Sequence, residues 1–302
     1  MGDNESRKPE GRARTAVVTG ASSGIGEASA HALAAAGFRV ILGARRLERI
    51  QQVAAAINAA ADPGGGAAAG PGGAPRATAF VLDVADPASI AAFATAVGNA
   101  TGASGAAGGV PGAGLNLLVN NAGGAHGLDP IAQARDADWQ TMWEVNVMGL
   151  MRVTRALLPA LLASGDGQII NIGSVAGFET YVGGGGYTAA KHAVRAITRT
   201  LRLELLGQPI RVTELDPGLA DTEFSRVRFS GDEERARSVY RGLTPLTGAD
   251  VAECVAWAAT RPSHVNIDEI VVRPRDQATA HHLHRRPVET PAGGAGGGAG
   301  AK

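Results

Sequence analysis

A short β-branched run, Thr15–Thr19 (T-A-V-V-T), leads straight into a glycine turn, Gly20–Gly26 (G-A-S-S-G-I-G). Ile25, Ala28, Leu33 and Ala36 follow at helical spacing, and Gly37 stands where a helix would end. Strand, glycine turn and helix in that order form half of a dinucleotide site. Backbone without side chains lets a pyrophosphate approach the amides at a helix N-terminus. The spacing is G-x-x-x-G-x-G rather than the common G-x-G-x-x-G, so the flanking strand and helix carry the reading.

The rest of the chain repeats that unit. Strands are expected at Phe38–Leu42, Ala77–Leu82, Leu115–Val119, Gln168–Ile172, Ile210–Leu215 and Ile267–Val272. Helices are expected at Leu47–Ala61, Pro87–Val97, Asp136–Leu162, Tyr187–Leu206 and Ala249–Thr260. Alternating β and α segments predict an α/β fold, a single Rossmann-type doubly wound parallel sheet of about seven strands flanked by helices. Glycine is abundant, 43 of 302 residues, and is concentrated in Ala/Gly/Pro stretches at 62–75, 98–114 and 292–300. The first two read as insertions within one domain spanning 14–275, because the apolar pattern resumes after each. Residues 1–13 read as a disordered leader and 276–302 as a flexible tail.

Charge excludes one function class. Lys plus Arg balance Asp plus Glu at 28 each, so no basic field points to nucleic acid. No apolar run reaches the roughly 18 residues that cross a bilayer, so no membrane role is expected. The single cysteine, Cys254, suits a reducing compartment, and a cytoplasmic protein is expected. His281, His282 and His284 lack clustered acids or cysteines and read as a tail or subunit contact, with no metal site.

The chemistry-bearing stretch is Ser174–Lys191, S-V-A-G-F-E-T-Y-V-G-G-G-G-Y-T-A-A-K. Tyr187 and Lys191 stand at i and i+4, one helical turn apart on one face. A nearby ammonium favours the phenolate, and a hydroxyl such as Ser174 can hold a substrate oxygen. Together they suit proton transfer in alcohol–carbonyl interconversion. A surface Tyr with a solvated Lys is the alternative reading of the pair alone. Asn146, within an apolar helix pattern, must find partners. At the end of the second strand, where an NAD site places an acid, stand Arg45 and Arg46; guanidinium suits a 2′-phosphate, pointing to NADP(H).

Thr19-Gly20-x-x-x-Gly24-Ile25-Gly26, Asn120-Asn121-Ala122-Gly123, Asn146, Ser174, Tyr187-x-x-x-Lys191 and Pro217-Gly218 follow in order. As a set they resemble the short-chain dehydrogenase/reductase family over about residues 14–275. The resemblance implies that Gly20, Ser22, Gly24, Ile25 and Gly26 line the pyrophosphate, with Ser23 available as a further hydroxyl donor. It implies Asp83 and Val84 against the adenine, and Asn120 with Ala122 and Gly123 framing the cofactor. Tyr187 becomes the acid/base, Lys191 its pKa-lowering partner and a ribose ligand, and Ser174 the holder of the substrate oxygen. Asn146 is expected to bind a water linking Lys191 to solvent. Backbone at Pro217, Gly218 and Leu219, with Thr222, is expected at the carboxamide.

A finer likeness, in Asn171–Ala176, Thr222–Asp232 and His264–Gln277, is to NADP-dependent 3-hydroxy acid dehydrogenases acting on serine or allo-threonine, and to related aldehyde reductases. The substrate is expected to be a small polar hydroxy or oxo compound. Segment 221–247 reads as a lid, rich in Arg226, Arg228, Arg235, Arg237 and Arg241, any of which could hold a carboxylate. Pairing of those arginines with Asp232, Glu233 and Glu234 is the alternative. A general carbonyl reductase and a non-catalytic dinucleotide sensor remain the rival functions. The family resemblance further implies a homotetramer, paired through helices 136–162 and 187–206 and through the last strand.

Overall fold

The structure is a computed structural model that describes residues 14–61, 75–102 and 114–287. Seven strands form one parallel sheet: β1 (Thr15–Thr19), β2 (Arg39–Ala44), β3 (Ala77–Val81), β4 (Leu117–Asn120), β5 (Gly167–Ile172), β6 (Ile210–Pro217) and β7 (Glu269–Val272). Their order is β3-β2-β1-β4-β5-β6-β7. The chain winds outward from β1 to β3, then returns to β4 and winds the other way. This reversal opens a crevice at the carboxyl ends of β1 and β4.

The central strands are buried on both faces, which is why they read as continuous apolar runs. Their two-residue period sends alternate side chains to two cores. Ala16 and Val18 of β1 pack with α1 (Gly24–Ala35), α2 (Leu47–Ala61) and the late helix Gly248–Ala259. Val17 packs on the other face with α3 (Pro87–Thr101) and α5 (Gly149–Ala163), beside α6 (Gly185–Glu204). Leu33 with Val255 on one side, and Phe93 with Leu157 on the other, show the same division.

Four expectations change. The helix expected over 136–162 is α4 (Asp136–Trp143), a π-helical turn (Glu144–Met148) and α5. In the π turn the Gly149 N–H reaches the carbonyl of Glu144, five residues back. Taken as one stretch, 136–163 has the length and apolarity of a membrane span, contrary to the sequence expectation. Its Leu150, Val153, Leu157 and Leu161 are instead buried in the protein, three of them in the core beneath the sheet.

Residues 98–101, expected in an insertion, complete α3, and Gly102 closes it at φ +73° in the left-handed region. Residues 103–113 of that insertion, 62–74 of the one expected at 62–75, and the expected leader 1–13 lie outside the described residues. Residues 276–287, expected in a flexible tail, fold back against the lid segment. Gly242 accepts from the Arg286 N–H at 2.7 Å, and the Thr244 N–H donates to Asp276 at 2.9 Å. Asp276 also pairs with Arg286 at 3.1 Å. Backbone and ionic anchors on both sides explain why this segment has a fixed place.

Candidate active site

The crevice holds a cavity of about 610 Å³. Its floor is the glycine turn. Gly20 and Gly24 adopt φ of +65° and +57°, the left-handed region that glycine enters without strain. A Cβ on Gly26 would lie 2.4 Å from the Gly20 carbonyl oxygen and 2.4 Å from Asn121 Nδ2. Gly26 therefore lets α1 approach the turn; it does not itself line the cavity. Ser22, Ser23, Gly24 and Ile25 do.

The Asn120 expectation is corrected. Its amide donates to Thr154 Oγ1 at 2.8 Å and Asn171 Oδ1 at 2.9 Å, beneath the sheet and away from the cavity. Asn121, one of the residues that sequence reasoning left without a role, takes that place. Its Nδ2 donates to the Thr19 carbonyl at 2.9 Å, and the residue lines the cavity. Successive residues at a strand end face opposite ways, and that alternation could have separated the two. Ala122 and Gly123 continue the cavity wall. Asp83 and Val84 stand opposite, and α5 begins close to them because Gly149 has no side chain: a Cβ there would meet Val84 at 2.9 Å.

Arg45 and Arg46 line one end. The Arg46 guanidinium donates to Ser22 Oγ at 3.0 Å and Ser23 Oγ at 2.9 Å, and pairs with Glu223 at 2.8 Å. The sequence reading found no carboxylate near this position because Glu223 arrives from α7 (Glu223–Arg228), far along the chain. At the other end Pro217, Gly218, Leu219 and Thr222 line the wall. Gln277 props that turn: its Oε1 accepts from the Leu219 N–H at 2.8 Å, and a Cβ on Gly218 would stand 2.3 Å from it.

The acid/base group sits at the centre. α6 begins at Gly185, so Tyr187 and Lys191 lie on its first turns, both buried and both lining the cavity. Lys191 Nζ donates to the Ile172 carbonyl at 2.8 Å and lies 5.8 Å from the Tyr187 ring centroid. Burial pushes the Tyr187 phenol above its usual value, with the Tyr181 phenol and the Asp216 charge adding to the rise. The Ser174 hydroxyl and the Arg228 charge oppose it. In the protein alone, burial outweighs the lowering expected from Lys191. Lys191 is itself pulled down to about 8 by burial, against the carboxylates of Asp216 and Glu214.

Asn146 spends most of its hydrogen-bonding capacity on the backbone. Its Nδ2 donates to Met142 at 2.7 Å and Gly124 at 2.8 Å, and its Oδ1 accepts from the Gly124 N–H at 3.2 Å. It pins the loop after β4 to the π turn and stands outside the cavity lining. One acceptor lone pair on Oδ1 is left for the expected water.

Of the lid arginines singled out, Arg228 alone lines the cavity. Its Nη2 donates to Tyr181 Oη at 2.8 Å and its Nε to Gly127 at 3.1 Å, with its Cζ 5.7 Å from the Tyr187 ring centroid. Arg226 faces outward and pairs with Glu233 at 3.3 Å, while Arg235 stacks over Phe229.

The family model for short chain dehydrogenases matches residues 14–233. The chain belongs to the short-chain dehydrogenase/reductase family. An uncharacterised oxidoreductase of Mycobacterium tuberculosis is 52% identical over 277 residues, 92% of this chain and 97% of that one. An NADP-dependent 3-hydroxy acid dehydrogenase of Schizosaccharomyces pombe is 36% identical over 274 residues, 90% of this chain and 97% of that one. A serine dehydrogenase solved in its closed form with NADP+ superimposes with a TM-score of 0.73 at 37% identity, covering 90% of this chain and all of that one. As a short-chain dehydrogenase/reductase, the protein is an oxidoreductase that interconverts alcohols and carbonyls.

Proposed function

We propose that this short-chain dehydrogenase/reductase is NADP(H)-dependent and interconverts a small 3-hydroxy acid and its 3-oxo counterpart. The likeness to the yeast 3-hydroxy acid dehydrogenase and to the NADP+-bound serine dehydrogenase supports this reading. The observation that carries the substrate class is Arg228: a guanidinium inside the cavity beside Tyr187, whose Nη1 makes no hydrogen bond among the described residues. A carboxylate there gains a charge-assisted contact while its 3-oxygen reaches Ser174 and Tyr187.

The residues present fit a dinucleotide. The left-handed glycines and the close-packed Gly26 leave room for a pyrophosphate at the start of α1, and Ser22, Ser23, Arg45 and Arg46 suit a 2′-phosphate. When bound, the nicotinamide supplies or takes the hydride. The chain handles the proton. In reduction the Tyr187 phenol, which burial keeps protonated, donates to the carbonyl oxygen as it gains negative charge. Ser174 holds that oxygen. The Lys191 ammonium stabilises the phenolate left behind and binds the ribose. In oxidation the same groups run in reverse.

The protein is proposed to act as a cytoplasmic homotetramer. Exposed Trp139, Trp143, Leu203 and Leu206, on α4, the π-turn boundary and the end of α6, are consistent with pairing along those helices. The deciding experiment compares NADP+ reduction with 3-hydroxypropionate, serine and allo-threonine against uncharged alcohols of equal size. Acids favoured at least tenfold in kcat/KM support the assignment; parity between acids and alcohols overturns it and leaves a general carbonyl reductase.

A further inference from the structure

The strongest unexplained feature of the cavity is the carboxylate that faces the phosphate-binding arginine. Glu223 Oε2 lies 2.8 Å from Arg46 Nη2, and both side chains are partly exposed at 33% and 48%. Glu223 is the first residue of α7, directly after Thr222, whose Oγ1 caps that helix. Thr222 in turn packs on the glycine turn: a Cβ on Gly24 would meet Thr222 Cβ at 3.1 Å. The lid thus starts against the cofactor turn, and its first charged group reaches across to Arg46.

Three acceptors crowd one nitrogen. Arg46 Nη2 carries two hydrogens, while Ser22 Oγ at 3.0 Å, Ser23 Oγ at 2.9 Å and Glu223 Oε2 at 2.8 Å all lie within reach. Ser22 Oγ also accepts from Arg46 Nε at 3.2 Å, so a phosphate oxygen that takes Nη2 must displace a serine hydroxyl or the Glu223 carboxylate from it. The serine hydroxyls can rotate and donate to the phosphate. A carboxylate cannot donate, and it repels a dianion. Glu223 is held ionised, since the Arg46 hydrogen bond pulls its carboxyl below the usual value.

We infer that Glu223 is a specificity-determining residue that competes with the cofactor 2′-phosphate for Arg46, so that the lid charge moderates the preference for NADP(H) over NAD(H). The inference rests on the assignment of Arg46 to the 2′-phosphate. NAD(H) has no phosphate to contest the ion pair, and its ribose hydroxyls can donate to the carboxylate. The chain therefore places the acid usual for NAD on the lid, where it opposes the arginine at the end of β2.

The test is direct binding by calorimetry, with NADP+ and NAD+ titrated into the full-length protein at low salt. Glu223→Gln keeps the side-chain shape and removes the charge. It should lower the Kd for NADP+ by about three- to tenfold, in line with a partly exposed ion pair plus relieved repulsion, and leave or raise that for NAD+. The gain should vanish in an Arg46→Ala background, because the two residues act through each other. An unchanged or weaker affinity of Glu223→Gln for NADP+, or an equal gain for NAD+, overturns the inference. If Arg46→Ala alone leaves the NADP+ preference intact, the phosphate assignment itself has failed. If that preference is lost but Glu223→Gln has no effect, only the competition is wrong.

Discussion

The backbone N–H of Ser174 donates to Asp216 Oδ1 at 2.8 Å, so a carboxylate at the end of β6 fixes the serine that follows β5. The approach requires Gly173, where a Cβ would stand 2.1 Å from the same oxygen. Asp216 also meets Arg195 at 3.3 Å, and Arg195 meets Glu269 on β7 at 2.7 Å. Glu214, two residues earlier on the same face of β6, is pushed up by burial and by the Asp216 charge. Burial raises Asp216 as well, opposed by the Ser174 N–H and by Arg195. A buried negative charge thus lies beneath the serine and the lysine of the candidate site.

Removing only the phenolic oxygen tests the acid/base role. Tyr187→Phe should lower turnover by about 10²–10⁴-fold, the range for general acid–base catalysis, with cofactor Kd within a few-fold of the parent. The ring stays packed edge-on against Phe224, at a centroid distance of 5.3 Å, so the fold should be unaffected. Steady-state kinetics with calorimetric cofactor binding makes the check, and near-normal turnover removes Tyr187 from the chemistry.

Lys191 sets a pH limb. Its value near 8 in the protein alone means the ammonium is present below that pH and lost above it. Carbonyl reduction also needs the protonated phenol, which persists to higher pH. The kcat/KM for reduction should therefore be flat below about pH 8 and fall above it. Asp216 and Glu214 on β6 support the ammonium, so Asp216→Asn should move the limb to lower pH. A limb that does not move separates Asp216 from Lys191 and leaves it a purely structural contact to Ser174.

Cofactor choice should depend more on Arg46 than on Arg45. Both line the cavity, but Arg46 is the one held by Ser22 and Ser23. A charge-assisted phosphate contact is worth about 1.5–3 kcal/mol, so Arg46→Ala should reduce the NADPH-over-NADH ratio of kcat/KM by at least about tenfold. Arg45→Ala should do less, and the double variant should erase most of the preference. Equal use of NADH and NADPH by the parent protein would contradict the assignment.

Most of the fold was legible because a parallel sheet buried on both faces writes itself as apolar runs separated by helical periods. The glycine turn, Ser174, Tyr187 and Lys191 were legible for a related reason: each stands at a strand end or first helical turn, where local pattern sets position. The misses are long-range or rotational. Glu223 and Gln277 reach the site from distant segments, and no local period announces such contacts. Asn120 and Asn121 are neighbours whose opposite facing decides which one meets the cavity. Asn146 sits in a π turn, which a helical period of 3.6 does not encode. Among the lid arginines, sequence could not separate Arg228 from the rest, because α7 turns Arg226 to solvent and Arg228 inward.

That difference between Arg226 and Arg228 gives a sharp test of the substrate class. Both are arginines on one short helix, two residues apart, and a lid that merely carried diffuse positive charge would use either. Arg226 is about half exposed and already paired with Glu233. Its loss should change KM for a hydroxy acid less than about twofold, as for a solvated pair. Arg228 lies in the cavity, tied to Tyr181 and the Gly127 carbonyl, with its charge also acting on Tyr187. Arg228→Gln should raise KM for 3-hydroxy acids by about tenfold or more, the loss of one charge-assisted contact, while KM for uncharged alcohols changes little. It should also lower turnover with both substrate types somewhat, because a cation that favours the phenolate has gone. Proportional losses for acids and alcohols would assign Arg228 to lid structure or to Tyr187 alone, and would leave the substrate carboxylate without a partner here.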